Sequence, residues 1–71
     1  MLKLSARNQF GGTITEIRKG VTTTHVKIEV APGVVLTASI TNESAEELGL
    51  AVGARAVAVV KASDVMIGTE G

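Results

Sequence analysis

Short runs of alternating hydrophobic and polar positions, separated by glycine-bearing breaks, dominate this chain. In His25-Val26-Lys27-Ile28-Glu29-Val30 the apolar Val26, Ile28 and Val30 alternate with charged or polar neighbours, the period of a strand buried on one face. Val34, Leu36, Ala38 and Ile40 repeat the pattern opposite Val35, Thr37, Ser39 and Thr41. Ile14 and Ile17 fall on opposite parities, so a strand over 12–19 either carries a bulge or is covered on both sides. Ala54-Arg55-Ala56-Val57-Ala58-Val59-Val60 is apolar at nearly every position and predicts a strand buried on both faces, one of them against another subunit. Asp64-Val65-Met66-Ile67 is expected to form a last short strand, and Ser5-Ala6-Arg7-Asn8 to lie at the end of a first one. Gly11-Gly12, Gly20, Pro32-Gly33, Gly49, Gly53 and Gly68 mark the breaks, with Gly11-Gly12 read as a bend between strands.

One segment has a helical signature. Ser44-Ala45-Glu46-Glu47 fits the Ser-x-x-Glu capping box and Gly49 is a C-terminal stop. The predicted order is four strands, a short helix, and one or two more strands. An all-β, OB-fold-like five-stranded barrel with one short helix fits this order, although that fold more usually places its helix between strands three and four.

Length and composition narrow the possibilities. The 71 residues make one domain, 1–71, with a small core. There is no cysteine, and the lone His25 excludes a zinc cluster built from one chain. The missing stability is therefore expected from a partner chain. His25 lies in the polar phase of its strand and is expected to be exposed. Seven Lys plus Arg balance seven Asp plus Glu, so no net field attracts nucleic acid or anionic lipid. A nucleic-acid-binding OB domain, the main rival from another class, needs stacking aromatics, and this chain has Phe10 alone. A purely structural oligomerisation module is the other rival. No stretch approaches the roughly 20 apolar residues that span a bilayer, and with no export signal or cysteine the expected location is the cytoplasm.

A catalytic constellation is not apparent. The chain has no cysteine, no tyrosine and no second histidine; its glycines form neither a Walker loop nor a dinucleotide fingerprint, and no enzyme is expected. Hydrogen-bond donors instead gather in three segments: Ser5-Ala6-Arg7-Asn8, Thr41-Asn42-Glu43-Ser44 and Lys61-Ala62-Ser63. Each joins a hydroxyl to backbone N–H groups freed where regular structure stops, and two add a cation. A tetrahedral dianion offers only acceptors, so its site consists of donors beside positive charge. Taken singly, Arg7 and Lys61 read as solvated strand-end cations, Ser44 as a helix cap and Thr41 as a residue leaving a strand. Convergence alone would make them a site.

Ser5-Ala6-Arg7-Asn8-Gln9 followed by Gly12-Thr13-Ile14 resembles the opening of the molybdate-binding Mop or molbindin domain, also found in TOBE-type domains. Ile40-Thr41-Asn42-Glu43-Ser44, Leu48-Gly49-Leu50 and Val59-Val60-Lys61-Ala62-Ser63-Asp64-Val65 follow in the family's order. The resemblance spans roughly residues 2–68. It implies an OB-like barrel, a homohexamer built as a trimer of dimers, and reversible binding of molybdate or tungstate between subunits for molybdenum storage. By position it implies ligands at Ser5, Ala6, Arg7, Thr41, Ser44 and Lys61, and a second oxyanion site at Lys19, Gly20 and Val21. No separate cofactor and no directly coordinated metal are implied. Many relatives have Pro where this chain has Ser63.

Overall fold

The structure is a computed structural model and describes residues 4–71. Four strands, β1 (Asn8–Lys19), β2 (Thr23–Ala31), β3 (Val34–Thr41) and β4 (Arg55–Val60), form one antiparallel sheet in the order β3-β2-β1-β4. A short helix, α1 (Asn42–Glu47), joins β3 to β4, and a 3-10 turn, Ala62–Asp64, follows β4. The helix thus stands between the third and fourth described strands, where an OB-like fold usually has it.

The long β1 organises the molecule because it has two partners. Its first part pairs with β4 from Asn8↔Val60 to Thr13↔Arg55, and its second with β2 from Thr13↔Glu29 to Lys19↔Thr24. A strand serving two neighbours in this way curls the sheet into a half-barrel. Gly12 sits at the changeover and is buried. A Cβ there would overlap the Glu29 carbonyl oxygen and come within 2.9 Å of Ile28 Cγ1, so β1 and β2 approach more closely than a side chain permits. Gly11-Gly12 is therefore inside one continuous strand and is not a bend between two.

The parity break between Ile14 and Ile17 is a bulge: the β1–β2 register shifts between Ile14 and Glu16. The extra residue returns Ile17 to the inner face, where it pairs with Val26 while Ile14 pairs with Ile28. Ile14, Val26 and Ile28, at 1%, 6% and 5% exposure, form the core. The alternation expected for β2 holds and extends one step further, since Thr24 is also buried. His25 is exposed, as its phase requires.

Elsewhere the apolar pattern outruns the burial. In β3 only Leu36 and Ile40 are half-buried. Ala56, Ala58 and Val60 of β4 are half-buried, but Val57 and Val59 keep 41% and 42% of their surface, so β4 is not covered on both faces within one chain. The inner face leaves an apolar groove of about 350 Å³ between β3 and β4, lined by residues that include Val26, Ile40, Leu50 and Ala58.

The C-terminal end of the expected strand list changes. Asp64–Ile67 forms no strand; the chain turns through Ala62–Asp64 and continues as irregular backbone with Met66 and Ile67 almost fully exposed. At the other end Asn8 begins β1 and Ser5–Arg7 leads into it; the first strand expected before this segment would run over Met1–Lys3, which lie outside the described residues. Four strands are therefore described where the pattern predicted five.

Candidate oxyanion-binding site

Backbone pairing brings the first donor cluster together. Asn8↔Val60 is the last pair of the β1–β4 ladder, and Asn8 Nδ2 donates to the Val60 carbonyl at 3.1 Å. Arg7 and Lys61 are the next residues outward on the two strands, so both cations leave the same end of the sheet with Ser5 and Ala6 close in sequence. Arg7, Lys61 and Ser5 are exposed and Ala6 is half-buried. Among the described residues the ion pairs are Arg18 with Glu16 and Lys19 with Glu46, which leaves both Arg7 and Lys61 without a carboxylate partner.

Thr41 and Ser44 make the second cluster. Thr41 has extended backbone, φ −69° and ψ 152°, and its Oγ1 accepts from Ser44 N at 3.0 Å, making Thr41 the N-cap of α1. The helix thus begins three residues before the expected capping box, and Ser44 lies within its first turn instead of capping it. The same Thr41 hydroxyl lies 2.8 Å from Ser44 Oγ. One of the two hydroxyl protons fills that bond and the other is left for a guest. Gly49 is the expected stop, with φ +63° and its N–H bonded to the Glu46 carbonyl at 3.0 Å. Thr41→Ala should cost about 1 kcal/mol, the usual loss for an N-cap; a urea titration that left the midpoint unchanged would contradict the cap.

Lys19, Gly20 and Val21 adjoin this second cluster. Asn42, the first residue of α1, holds the turn over residues 20–22: its Nδ2 donates to the Gly20 and Val21 carbonyls, each at 3.1 Å, and its backbone N–H to the Thr22 carbonyl at 3.1 Å. Its Oδ1 accepts from the buried Thr24 Oγ1 at 2.6 Å. A cavity of about 380 Å³ opens alongside, lined by Ile17, Lys19, Thr24, Asn42, Glu46 and neighbouring residues. Asn42 and Thr24 adjoin the candidate residues, and the sequence reading assigned neither of them to the site. The available signal was Thr24, a polar residue continuing the buried parity of Val26 and Ile28.

The two clusters lie at opposite ends of β1. Arg7 and Lys61 extend past Asn8; Thr41 pairs with Thr23 beside the Lys19 end. Twelve residues of strand at about 3.3 Å each extend over tens of ångströms even when curled. One chain therefore does not bring Ser5, Arg7 and Lys61 to the same anion as its own Thr41 and Ser44. Among the described residues there is also no group of three or more His, Cys, Asp or Glu side chains able to hold a metal ion.

The TOBE domain family matches residues 4–67 of this chain. The chain belongs to that family. Its relatives include molybdenum-pterin-binding protein 2 of Clostridium pasteurianum, 47% identical over 66 residues that cover 93% of this chain and 97% of the relative. A molybdate-binding protein from Sporomusa ovata has the same fold with a TM-score of 0.89 and 32% identity, covering 96% of this chain and all of that one. The cytoplasmic molybdate-binding protein ModG, in a structure with molybdate bound, matches with a TM-score of 0.92 and 40% identity over 97% of this chain and 49% of its own. The similarity to the Mop proteins read from Ser5–Gln9 onward is thereby established. These relatives are binding proteins by name. In the TOBE domain described here no helix among the described residues is long and apolar enough to cross a membrane.

Proposed function

We propose that this TOBE domain binds molybdate, or the similarly shaped tungstate, reversibly between copies of itself and so stores molybdenum in the cytoplasm. The observation that carries the reading is the distribution of donors: a doubly cationic cluster at one end of β1, a hydroxyl cluster at the other, and no route by which one chain closes both on one anion. Ser5, Arg7, Lys61 and the backbone at Ala6 from one copy, with Thr41 and Ser44 from another, would complete the shell; Lys19, Gly20 and Val21 would offer a second site. Molybdenum-binding relatives of matching length support the choice of ligand. The uncovered Val57, Val59 and inner groove support assembly, since apolar surface of this extent on a small domain is better buried against another copy. A hexamer arranged as a trimer of dimers is the proposed assembly.

No covalent bond needs to form or break. Donors replace the water shell of the dianion, each charge-assisted bond contributing about 1.5–3 kcal/mol net. A donor-only shell disfavours protonated phosphate, whose own O–H wants an acceptor, while cavity size separates molybdate from the smaller sulfate. Because the guest would bind only the assembled state, it would also stabilise the assembly by mass action. Native mass spectrometry with and without molybdate tests both parts at once. The expected result is an oligomer carrying a fixed number of molybdate ions per assembly. A monomer that binds molybdate one to one would refute the shared site, and an oligomer that takes up none would refute the ligand.

A further inference from the structure

Of the turn at Gly20–Thr23, every carbonyl is engaged and two N–H groups are not. The Gly20 and Val21 carbonyls accept from Asn42 Nδ2, the Thr22 carbonyl accepts from the Asn42 backbone N–H, and the Thr23 carbonyl accepts from Gly20 N at 2.7 Å. Among the described residues, Val21 N–H and Thr22 N–H have no hydrogen-bond partner, and both residues are exposed, Val21 at 97%. The orientation of the Asn42 amide follows from its neighbours. Two carbonyl acceptors on one side require the NH₂ there, which leaves Oδ1 for the Thr24 hydroxyl. Thr24 is 1% exposed, so the strap is anchored in the core.

We propose that Asn42 is a positioning residue for oxyanion binding: it draws three consecutive carbonyls of the 20–22 turn inward, so that the turn presents a donor-only face to an anion. The inference rests on the molybdate-binding reading above. A carbonyl turned toward the anion would repel it, and tying all three away removes that repulsion without adding charge. Asn42 also follows Thr41 directly and begins the helix that carries Ser44. One side chain therefore fixes the Val21–Thr22 donors relative to the Thr41–Ser44 hydroxyls, and a change at either cluster is transmitted to the other through Asn42. Thr24 holds Asn42 in that role from beneath.

The test compares the full-length assembled protein with Asn42→Ala, Thr24→Val and Thr24→Ser, using molybdate as the probe. Titration calorimetry gives affinity and stoichiometry, amide NMR follows Val21 and Thr22, and urea unfolding gives stability. In the parent, molybdate is expected to shift the Val21 and Thr22 amide signals. Asn42→Ala should weaken binding at this site at least tenfold and abolish those two shifts while the β1–β2 amides still report a folded sheet. Thr24→Val should do the same more mildly, and Thr24→Ser, which keeps the hydroxyl, should restore the parent response. A residue that merely stabilises the fold would lower the urea midpoint and leave the Val21 and Thr22 shifts intact, which would overturn the proposal. Parent protein that binds molybdate with no change at Val21 or Thr22 would also overturn it, whereas a parent that binds no molybdate would instead refute the underlying function.

Discussion

Arg7→Ala and Lys61→Ala are each expected to weaken molybdate binding by about 10- to 100-fold while leaving the fold in place. The size follows from the kind of bond. A hydrogen bond from a cation to an anion contributes about 1.5–3 kcal/mol net, and each 1.4 kcal/mol is about tenfold in affinity. The selectivity follows from position: both side chains are exposed and neither has an ion-pair partner among the described residues. Surface substitutions of that sort usually change stability by no more than about 0.5 kcal/mol. If both cations touch one guest, the double variant should lose less than the product of the single losses, because two residues sharing a partner are not additive. Calorimetric titration of the three variants against molybdate, with a urea midpoint for each, separates the outcomes. Parent-like affinity in both single variants would remove this end of the sheet from the site.

The expectations that survived are those in which one residue's environment is set by near neighbours. Val26, Ile28 and Val30 alternate with charged residues, and pairing with β1 on one side and β3 on the other buries their common face. The two readings left open at Ile14 and Ile17 came from a single parity break, and the structure resolves it as a bulge because both isoleucines then meet β2. Arg7 and Lys61 lie at one end of the sheet because they flank the paired Asn8 and Val60, a long-range fact that motif order alone does not contain.

The expectations that failed did so for identifiable reasons. The β4 expectation is not among them, because it places one face against another subunit, and within one chain Val57 and Val59 keep 41% and 42% of their surface. Val65, Met66 and Ile67 read as a strand for their β propensity, but the 3-10 turn at Ala62–Asp64 carries the chain out of the β4 direction and leaves them unpaired. The helix start was misplaced by three residues since Thr41 and Ser44 are both good caps; β3 runs directly to Thr41, which settles the choice in favour of the earlier one. Asn42 lies inside the Ile40–Ser44 run that resembles the family, but the run gives it no role of its own. Its role depends on carbonyls 20 to 22 residues away in sequence, and only the closed β2–β3 ladder brings them within reach.

Gly12→Ala is expected to be strongly destabilising, and Gly11→Ala close to neutral, although the two glycines are adjacent in one strand. Neither has a positive φ, so the difference is one of space alone. At Gly12 a methyl group would strike the Glu29 carbonyl, which belongs to the backbone and cannot swing aside. At Gly11 the nearest atom is Arg55 Nη2 at 3.5 Å, an ordinary contact with the end of a flexible side chain. Overpacking a close approach costs about 1–3 kcal/mol and occasionally more. A domain of this size has on the order of 4–11 kcal/mol in total at about 0.05–0.15 kcal/mol per residue, so the loss at Gly12 is a large share. Relief requires β1 to move away from β2 near Thr13↔Glu29, where β1 passes from one partner to the other. That movement changes the bend relating the Arg7–Lys61 end to the Thr41–Ser44 end, so Gly12→Ala should weaken molybdate binding as well as folding. Gly11→Ala, by reducing the freedom of the unfolded chain, should hold or slightly raise the urea midpoint. Equal midpoints for the two variants would show that β1 and β2 do not approach as closely as the Gly12 geometry requires.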